Sequence, residues 1–208
     1  MGFKVPALIT AGRMREQVLA LCERNKCDSL ARVRLSVFRG NGGIFESLDN
    51  FQYCIECWPL NASIGQLNEN GLVIDIFPDA WKSCDRFSNL KSANYLPYAM
   101  AARYAKENKL NECLVLNVHE RIADATIANI FLIKGDRLIT PSLNEGGVNG
   151  VMRRYLIDNI KVEEGEIAES DLWDADEVFL SNAISGIRWV KSFRQKSYSN
   201  QQSKKIYK

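Results

Sequence analysis

Histidine is almost missing from this chain: one residue, His119, in 208. That scarcity argues against a zinc centre built on imidazole. A strong charge of either sign is missing too, with 27 Lys and Arg against 25 Asp and Glu and a net charge of +2. Such a balance removes the electrostatic case for nucleic acid or membrane as the main partner. No apolar run approaches the roughly 18 residues of a membrane span, and no basic stretch followed by an apolar core opens the chain. A cytoplasmic protein is the expectation. The one basic cluster, KSYSNQQSKKIYK, reads as a frayed polar terminus, and His119, in NVHER, as an exposed turn residue.

Six cysteines are present: Cys22, Cys27, Cys54, Cys57, Cys84 and Cys113. An even count invites a disulfide framework, yet a chain long enough to bury a core has no need of one. Cys54 and Cys57 form a CxxC inside FQYCIECW, a strand-like run. On a strand, positions i and i+3 face opposite sides, so that pair is poorly placed to chelate or to bridge. Reduced, buried thiols and no metal are expected.

Apolar spacing predicts a helix over residues 13–26 and a strand over 30–40 that ends in the turn GNGG. YCIECWPL and LVIDIFP read as further strands. A helix follows Lys91 and runs to about Asn108, with Pro97 tolerable only in its first turn. ECLVLNV, RIADATIANIFLI and RLITP are strands, with a hairpin turn at Gly135-Asp136. VMRRYLIDNI is a helix opened by GGVNG, and DEVFLSNA and GIRWVKSF are late strands. This mixture predicts an α+β fold rather than regular alternation.

Four places are unusual. Lys91 stands alone before a long apolar helix, where a snorkelling surface lysine is the ordinary reading. GGVNGVMRR is a Gly-rich turn opening a helix, whose amides and dipole could cup an anion, although most such turns only turn the chain. Asp124 sits mid-strand, where aspartate is disfavoured unless it faces solvent or something specific. SNAISG (181–186) interrupts an apolar strand and offers a second turn of backbone donors. An amine, a phosphate cup and a carboxylate together are what pyridoxal phosphate requires.

In order and spacing, NLKSANYLPYAMAARYAKENKLNECLVLN, IADATIANIFLIKGDRLITP, GGVNGVMRRYLI and ADEVFLSNAISGIRWV resemble the fold-type IV pyridoxal-phosphate enzymes. These are the class IV aminotransferases, which include branched-chain and D-amino-acid aminotransferases and aminodeoxychorismate lyase. LARVRLSVFRGNGG extends the likeness upstream. The resemblance implies a fold like that of D-amino-acid aminotransferase, with pyridoxal 5'-phosphate as cofactor. It implies that Lys91 is the Schiff-base lysine, set in a buried position near a helix N-terminus. Backbone amides of Val151 and Met152 would hold the cofactor phosphate, with Asn182 and Ala183 in the second phosphate turn. Asp124 stands where the family normally has glutamate, to face the pyridine nitrogen. Tyr95 matches a cofactor-side tyrosine, and Arg39 an arginine at the substrate carboxylate.

The implied function is an aminotransferase-like reaction on an amino acid or amino-bearing carboxylic acid. A 4-amino-4-deoxychorismate lyase releasing pyruvate is the nearest alternative, and a non-catalytic cofactor-binding homologue the alternative of another class. A homodimer is implied, in which YCIECW and LVIDIF leave apolar surface for a partner. The expected domains are a partial N-terminal small domain over 1–83 and a C-terminal cofactor-binding domain over 84–208. Family members begin several tens of residues earlier, with an arginine on the cofactor phosphate, so the small domain is expected to be truncated. Arg153 and Arg154 are the candidates to replace that charge.

Overall fold

A computed structural model describes residues 4–27, 29–40 and 51–207. Beyond Gly40, the expected GNGG turn lies outside the described residues. The chain forms two compact units, Met1–Ile64 and Gly65–Lys208.

In the smaller unit, helix α1 (Ala11–Arg24) is capped by Thr10, whose hydroxyl accepts from the Arg13 amide at 3.2 Å. Strands β1 (Ala31–Arg39) and β2 (Phe51–Pro59) pair antiparallel, with Ala31 opposite Pro59 and Arg39 opposite Phe51. α1 is tied to β2 by the Tyr53 hydroxyl, which donates to Gln17 Oε1 at 2.8 Å. Along β1, Val33 and Leu35 are exposed, while Ala31 and Val37 are half-buried.

The larger unit begins with β3 (Leu72–Lys82) and α2 (Leu96–Glu107), followed by β4 (Glu112–Asn117), β5 (Ile122–Ala125), β6 (Asn129–Lys134) and β7 (Arg137–Pro141). α3 (Val151–Asn159), β8 (Glu163–Gly165), α4 (Glu169–Asp174), β9 (Glu177–Asn182), β10 (Gly186–Phe193), β11 (Lys196–Ser197) and α5 (Gln201–Tyr207) complete it. The strands form one mixed sheet in the order β5-β4-β3-β10-β9-β6-β7-β8, with β11 added beside β10. β3 runs parallel to both β4 and β10, while β4–β5, β6–β7, β6–β9 and β9–β10 are antiparallel. An α+β fold is therefore what the chain adopts.

Both faces of the sheet are covered, so its central strands are continuous apolar runs rather than alternating ones. Along β6, Ile130 and Leu132 join one core with Leu114, Val178, Leu180 and Phe193. Phe131 and Ile133, pointing the other way, join a second core with Phe179, Leu156 and Ile187. Phe131 and Phe179 are cross-strand partners, and their rings stack at 4.8 Å. A third core lies under α2. Pro97 falls at the start of that helix, where its missing amide costs nothing. Ala101 and Ala105, one turn apart and buried, let α2 approach Phe77, Cys113 and Val115 closely.

Three expectations change. The boundary at 83/84 is replaced by a division at 64/65, because β3 is hydrogen-bonded into the large sheet between β10 and β4. LVIDIF is accordingly a central strand and leaves no uncovered edge; Ile74 and Ile76 are core residues. The tail read as frayed contains α5, whose Ile206 and Tyr207 pack against the second core.

α5 is held by the buried Glu177 carboxylate. It accepts from Ser203 N (2.9 Å), Ser203 Oγ (2.7 Å), Gln202 N (2.8 Å) and Ser199 Oγ (3.1 Å). Burial opposes its ionisation, but these four donors outweigh burial and hold Glu177 below the usual carboxylate range. Glu177→Gln should cost about 1.5–3 kcal/mol in urea unfolding at pH 7, the scale of a hydrogen bond to a charged group. Because the folded-state pKa is depressed, this stability is present above the unfolded value near 4.3 and is lost as pH falls through the folded one. The gap between parent and Glu177→Gln should therefore close in acid. A gap that persists at low pH would show that the charge is not the cause.

Candidate active site

β3 delivers an unexpected residue to the site. Its pairing with β4 breaks between Ile76 and Trp81, around Pro78, and resumes with Trp81 opposite Leu116 and Lys82 opposite Asn117. A proline cannot continue a ladder, and a bulge of this kind re-aims the residues beyond it. Lys82 is thereby buried, with Nζ 3.5 Å from Asp124 Oδ2 and 4.7 Å from the centroid of the Tyr98 ring. Its Nζ also donates to the Tyr98 hydroxyl.

Asp124 lies opposite Val115, across the β4–β5 pair, and is 2% exposed. The Tyr98 hydroxyl donates to both carboxylate oxygens at 2.9 Å, and the Val148 amide donates to Oδ2 at 2.9 Å. Burial pushes the Asp124 carboxyl up, opposed by the Lys82 charge and by the Val148 and Tyr98 hydrogen bonds. Burial likewise pushes Lys82 down, opposed by Asp124, with a smaller downward push from the Lys91 charge. Tyr98 is raised by burial and then by Asp124. Isolation from water is the shared cause, and the pair is the partial remedy.

The Gly-rich segment 143–150 is fixed at several points. Arg121 grips Glu145 bidentately at 2.6 and 3.1 Å, and Asn117 Nδ2 adds a donor at 2.7 Å. Asn89 Nδ2 donates to the carbonyls of Leu143 and Gly147, each at 2.8 Å, while the Asn149 amide donates back to Asn89 O at 3.0 Å. Asn129 Nδ2 holds Val148 O at 2.7 Å. Three glycines of this segment have no room for a Cβ. One on Gly146, which is left-handed at φ 83°, would meet Ser83 O; one on Gly147 would lie 2.6 Å from Ala123 O; and one on Gly150 would meet Asn129 Oδ1.

This segment presents the start of α3. The first amides of any α-helix have no intrahelical acceptor, and the dipole there favours an anion. Val151 and Met152, at that start, line an open depression of about 320 Å³ together with Tyr155 and Ala183. Ala183 belongs to the expected second turn. There Asn182 Oδ1 accepts from Ile184 N (2.9 Å), Ser185 N (2.8 Å) and Ser185 Oγ (3.0 Å), so its side chain shapes the turn. Arg153 is not a substitute phosphate cation, because it is buried against Pro141 O and Glu164. Arg154 is exposed.

Lys91 is exposed, contrary to the buried position expected for it. It lies in a run of turns ahead of α2 (Leu90 N to Phe87 O, 3.0 Å; Ser92 N to Leu90 O, 2.9 Å), because the helix does not begin until Leu96. Tyr95, the residue preceding α2, is also exposed; one turn further on, Tyr98 is the residue that holds Asp124. Asn89, two residues before Lys91, straps that run to the same Gly-rich segment that Asp124 grips through Val148. Lys91, Asp124 and the α3 start are thus tied to one loop. Arg39 belongs to the smaller unit, at the exposed end of β1. Sequence reasoning missed Lys82, Tyr98, Asn89 and Asn129. Only Tyr98 had a signal, its helical spacing from Tyr95.

The family model described as amino-transferase class IV matches residues 3–193. A probable branched-chain-amino-acid aminotransferase of Aquifex aeolicus is 32% identical over 129 residues, 59% of this chain and 39% of that protein. Aminodeoxychorismate lyase of Bacillus subtilis is 28% identical over 182 residues, 84% of this chain and 61% of that protein. The chain therefore spans less than two thirds of either relative. The solved branched-chain amino acid aminotransferase of Thermobaculum terrenum, in its PLP-form, superposes with a TM-score of 0.81 at 17% identity, covering 98% of this chain and 70% of that one. At that identity the likeness establishes the fold, and the family match spans nearly the whole sequence. The chain belongs to the class IV aminotransferase family.

Proposed function

We propose that the chain acts, with pyridoxal 5'-phosphate, on the amino group of an amino acid or amino-bearing carboxylic acid. The reading is carried by one observation: the Lys91 segment, the buried Asp124 and the start of α3 are all fastened to the glycine-rich loop 143–150. The residues fit the cofactor. Backbone donors at Val151, Met152 and the Asn182–Ala183 turn suit a phosphate, and the loop is kept free of side-chain bulk at Gly147 and Gly150. When bound, the cofactor supplies the electron sink for a carbanion at the substrate Cα. Asp124, steadied by Tyr98 and Lys82, would accept a hydrogen bond from the ring nitrogen. Lys91 Nζ would hold the cofactor and would serve as the carrier of the substrate Cα proton. Arg39 is assigned to the substrate carboxylate and Tyr95 to the cofactor side.

A lyase reading rests on the B. subtilis relative, whose match covers 84% of this chain. A panel of amino donors with 2-oxo acceptors, run beside aminodeoxychorismate and followed by cofactor absorbance, separates the two. Transfer to an acceptor supports the aminotransferase, and pyruvate release without an acceptor supports the lyase. Cofactor binding with neither reaction would leave a non-catalytic homologue. The protein is assigned to the cytoplasm, and no described helix is long and apolar enough to cross a membrane.

A homodimer is part of this reading, supported by exposed apolar side chains on the two-stranded sheet, Leu35, Phe38 and Trp58 among them. A two-stranded sheet is marginal without a covering surface. Sedimentation equilibrium at micromolar concentration should give twice the chain mass; a clean monomer rejects this assignment.

A further inference from the structure

The smaller unit gathers three thiols that are scattered in sequence. Its described residues include only two that are buried, Cys22 and Cys27, so the unit is driest where its sulfurs are. The closure of α1 explains how those two meet. The Cys27 amide donates to Cys22 O at 3.0 Å and the Lys26 amide to Glu23 O at 3.1 Å, with Lys26 left-handed at φ 53°. That is the pattern of a Schellman cap, which folds the chain back over the last helical turn. Cys27 Sγ also lies 3.5 Å from Cys22 O. The third thiol arrives from β2: Cys57 Sγ is 3.3 Å from Cys27 Sγ and accepts from Asn25 Nδ2 at 3.2 Å. Cys54, the other half of the CxxC, is exposed, as the strand period requires.

All three sulfurs lie within 4.8 Å of one another. A tetrahedral or trigonal cation with metal–sulfur bonds of about 2.3 Å needs its sulfurs roughly 3.8–4.0 Å apart, a small adjustment from this arrangement. The donor set holds no carboxylate or imidazole, which selects a soft cation over magnesium or calcium.

We propose that Cys22, Cys27 and Cys57 form a binding site for one soft divalent cation of the zinc class. Binding releases the three thiol protons to solvent and leaves three metal–thiolate bonds, with water completing the coordination. No electron is transferred. The Asn25 hydrogen bond pulls the Cys57 thiol below its ordinary value, whereas burial followed by its thiol neighbours pushes Cys27 up to about 12. Cys57, delivered by β2 and less buried than Cys22 and Cys27, is the outermost of the three ligands. The cation would staple α1 to β2 in a unit with little other buried structure.

The test is titration of the reduced full chain with Co(II), then displacement by Zn(II). One equivalent should bind with sulfur-to-cobalt charge-transfer absorption. Cys57→Ser should weaken binding by at least the roughly 10–100-fold that loss of even an outer-shell partner costs. Cys54→Ser should leave it unchanged. X-ray absorption on the zinc-loaded parent should count three sulfurs at about 2.3 Å, a readout independent of how any variant folds. Absence of the thiolate band, a band undiminished in Cys57→Ser, or fewer than three sulfurs would overturn the site. So would a reduced protein that takes up no metal yet forms a Cys27–Cys57 disulfide with an added oxidant.

Discussion

Asp124→Asn should lower stability by about 3–5 kcal/mol in urea unfolding, the usual cost of removing one partner from a buried ion pair. Asparagine preserves the shape and can still accept from Tyr98 or Val148, but Lys82 Nζ, 3.5 Å away and itself buried, loses its counter-charge. Lys82 can escape by shedding its proton. From an ordinary lysine value near 10.4, that costs about 4.6 kcal/mol at pH 7, which bounds the charge penalty. The escape also fixes the sign of the pH dependence. In the variant, unfolded Lys82 would bind a proton that the folded state lacks, so its stability should rise with pH toward 10. The parent should show only a smaller part of that rise, nearer pH 10, because Asp124 opposes the downward push on Lys82. In a Lys82→Met background the Asp124→Asn penalty should shrink by up to about 3 kcal/mol, the upper range for coupled neighbours. A penalty that is unchanged there, or flat with pH, would mean that the pair is not what Asp124 stabilises.

The same double variant separates structural from cofactor work. If Asp124 serves the ring nitrogen, Asp124→Asn should cost about 10²–10³-fold in turnover, the scale of a lost electrostatic stabiliser. Lys82→Met would then recover stability without recovering turnover. If Asp124 serves only Lys82, both recover together.

Features whose causes are local were legible in the sequence. GIRWVKSF gave β10 within its observed limits, Gly135-Asp136 turned the β6–β7 hairpin, and Pro97 marked the first turn of α2. The run RIADATIANIFLI was less clear: it is two strands, because Thr126–Ala128 redirects the chain between Asp124 and Asn129. What stayed hidden depends on partners remote in sequence. α5 looked like a frayed tail because its anchor, Glu177, stands on β9, more than twenty residues earlier. The division at 64/65 could not be read locally, since β3 belongs to the large unit through β10, its parallel neighbour near the other end of the chain. Lys82 was hidden by the register break at Pro78, and the thiol cluster by the return of β2 over α1. The motifs offered candidate residues in order, whereas the contacts that position those residues are long-range.

Lys91 and Lys82 present the sharpest opposition in the molecule. Lys91 carries the family motif and is exposed; Lys82 is buried, pushed down by burial, and sits beside Asp124. Yet Lys82 Nζ is committed to Tyr98 and Asp124, whereas Lys91 lies in a turn run whose backbone is already anchored through Asn89. The expected result is covalent attachment of pyridoxal phosphate at Lys91. Borohydride reduction followed by trypsin should then yield a single pyridoxyl peptide covering residues 87–103, since a modified Lys91 is not cleaved. Modification of Lys82 would instead join residues 40–86. Lys91→Ala should abolish the label and lower turnover by at least about 10²–10⁴-fold, the range for removing a positioned proton carrier, with no loss of stability at an exposed site. Lys82→Met should keep the label. If the 40–86 peptide carries the pyridoxyl group instead, the roles reverse: Lys82 becomes the attachment point, and the motif assignment fails at the residue on which it most depends.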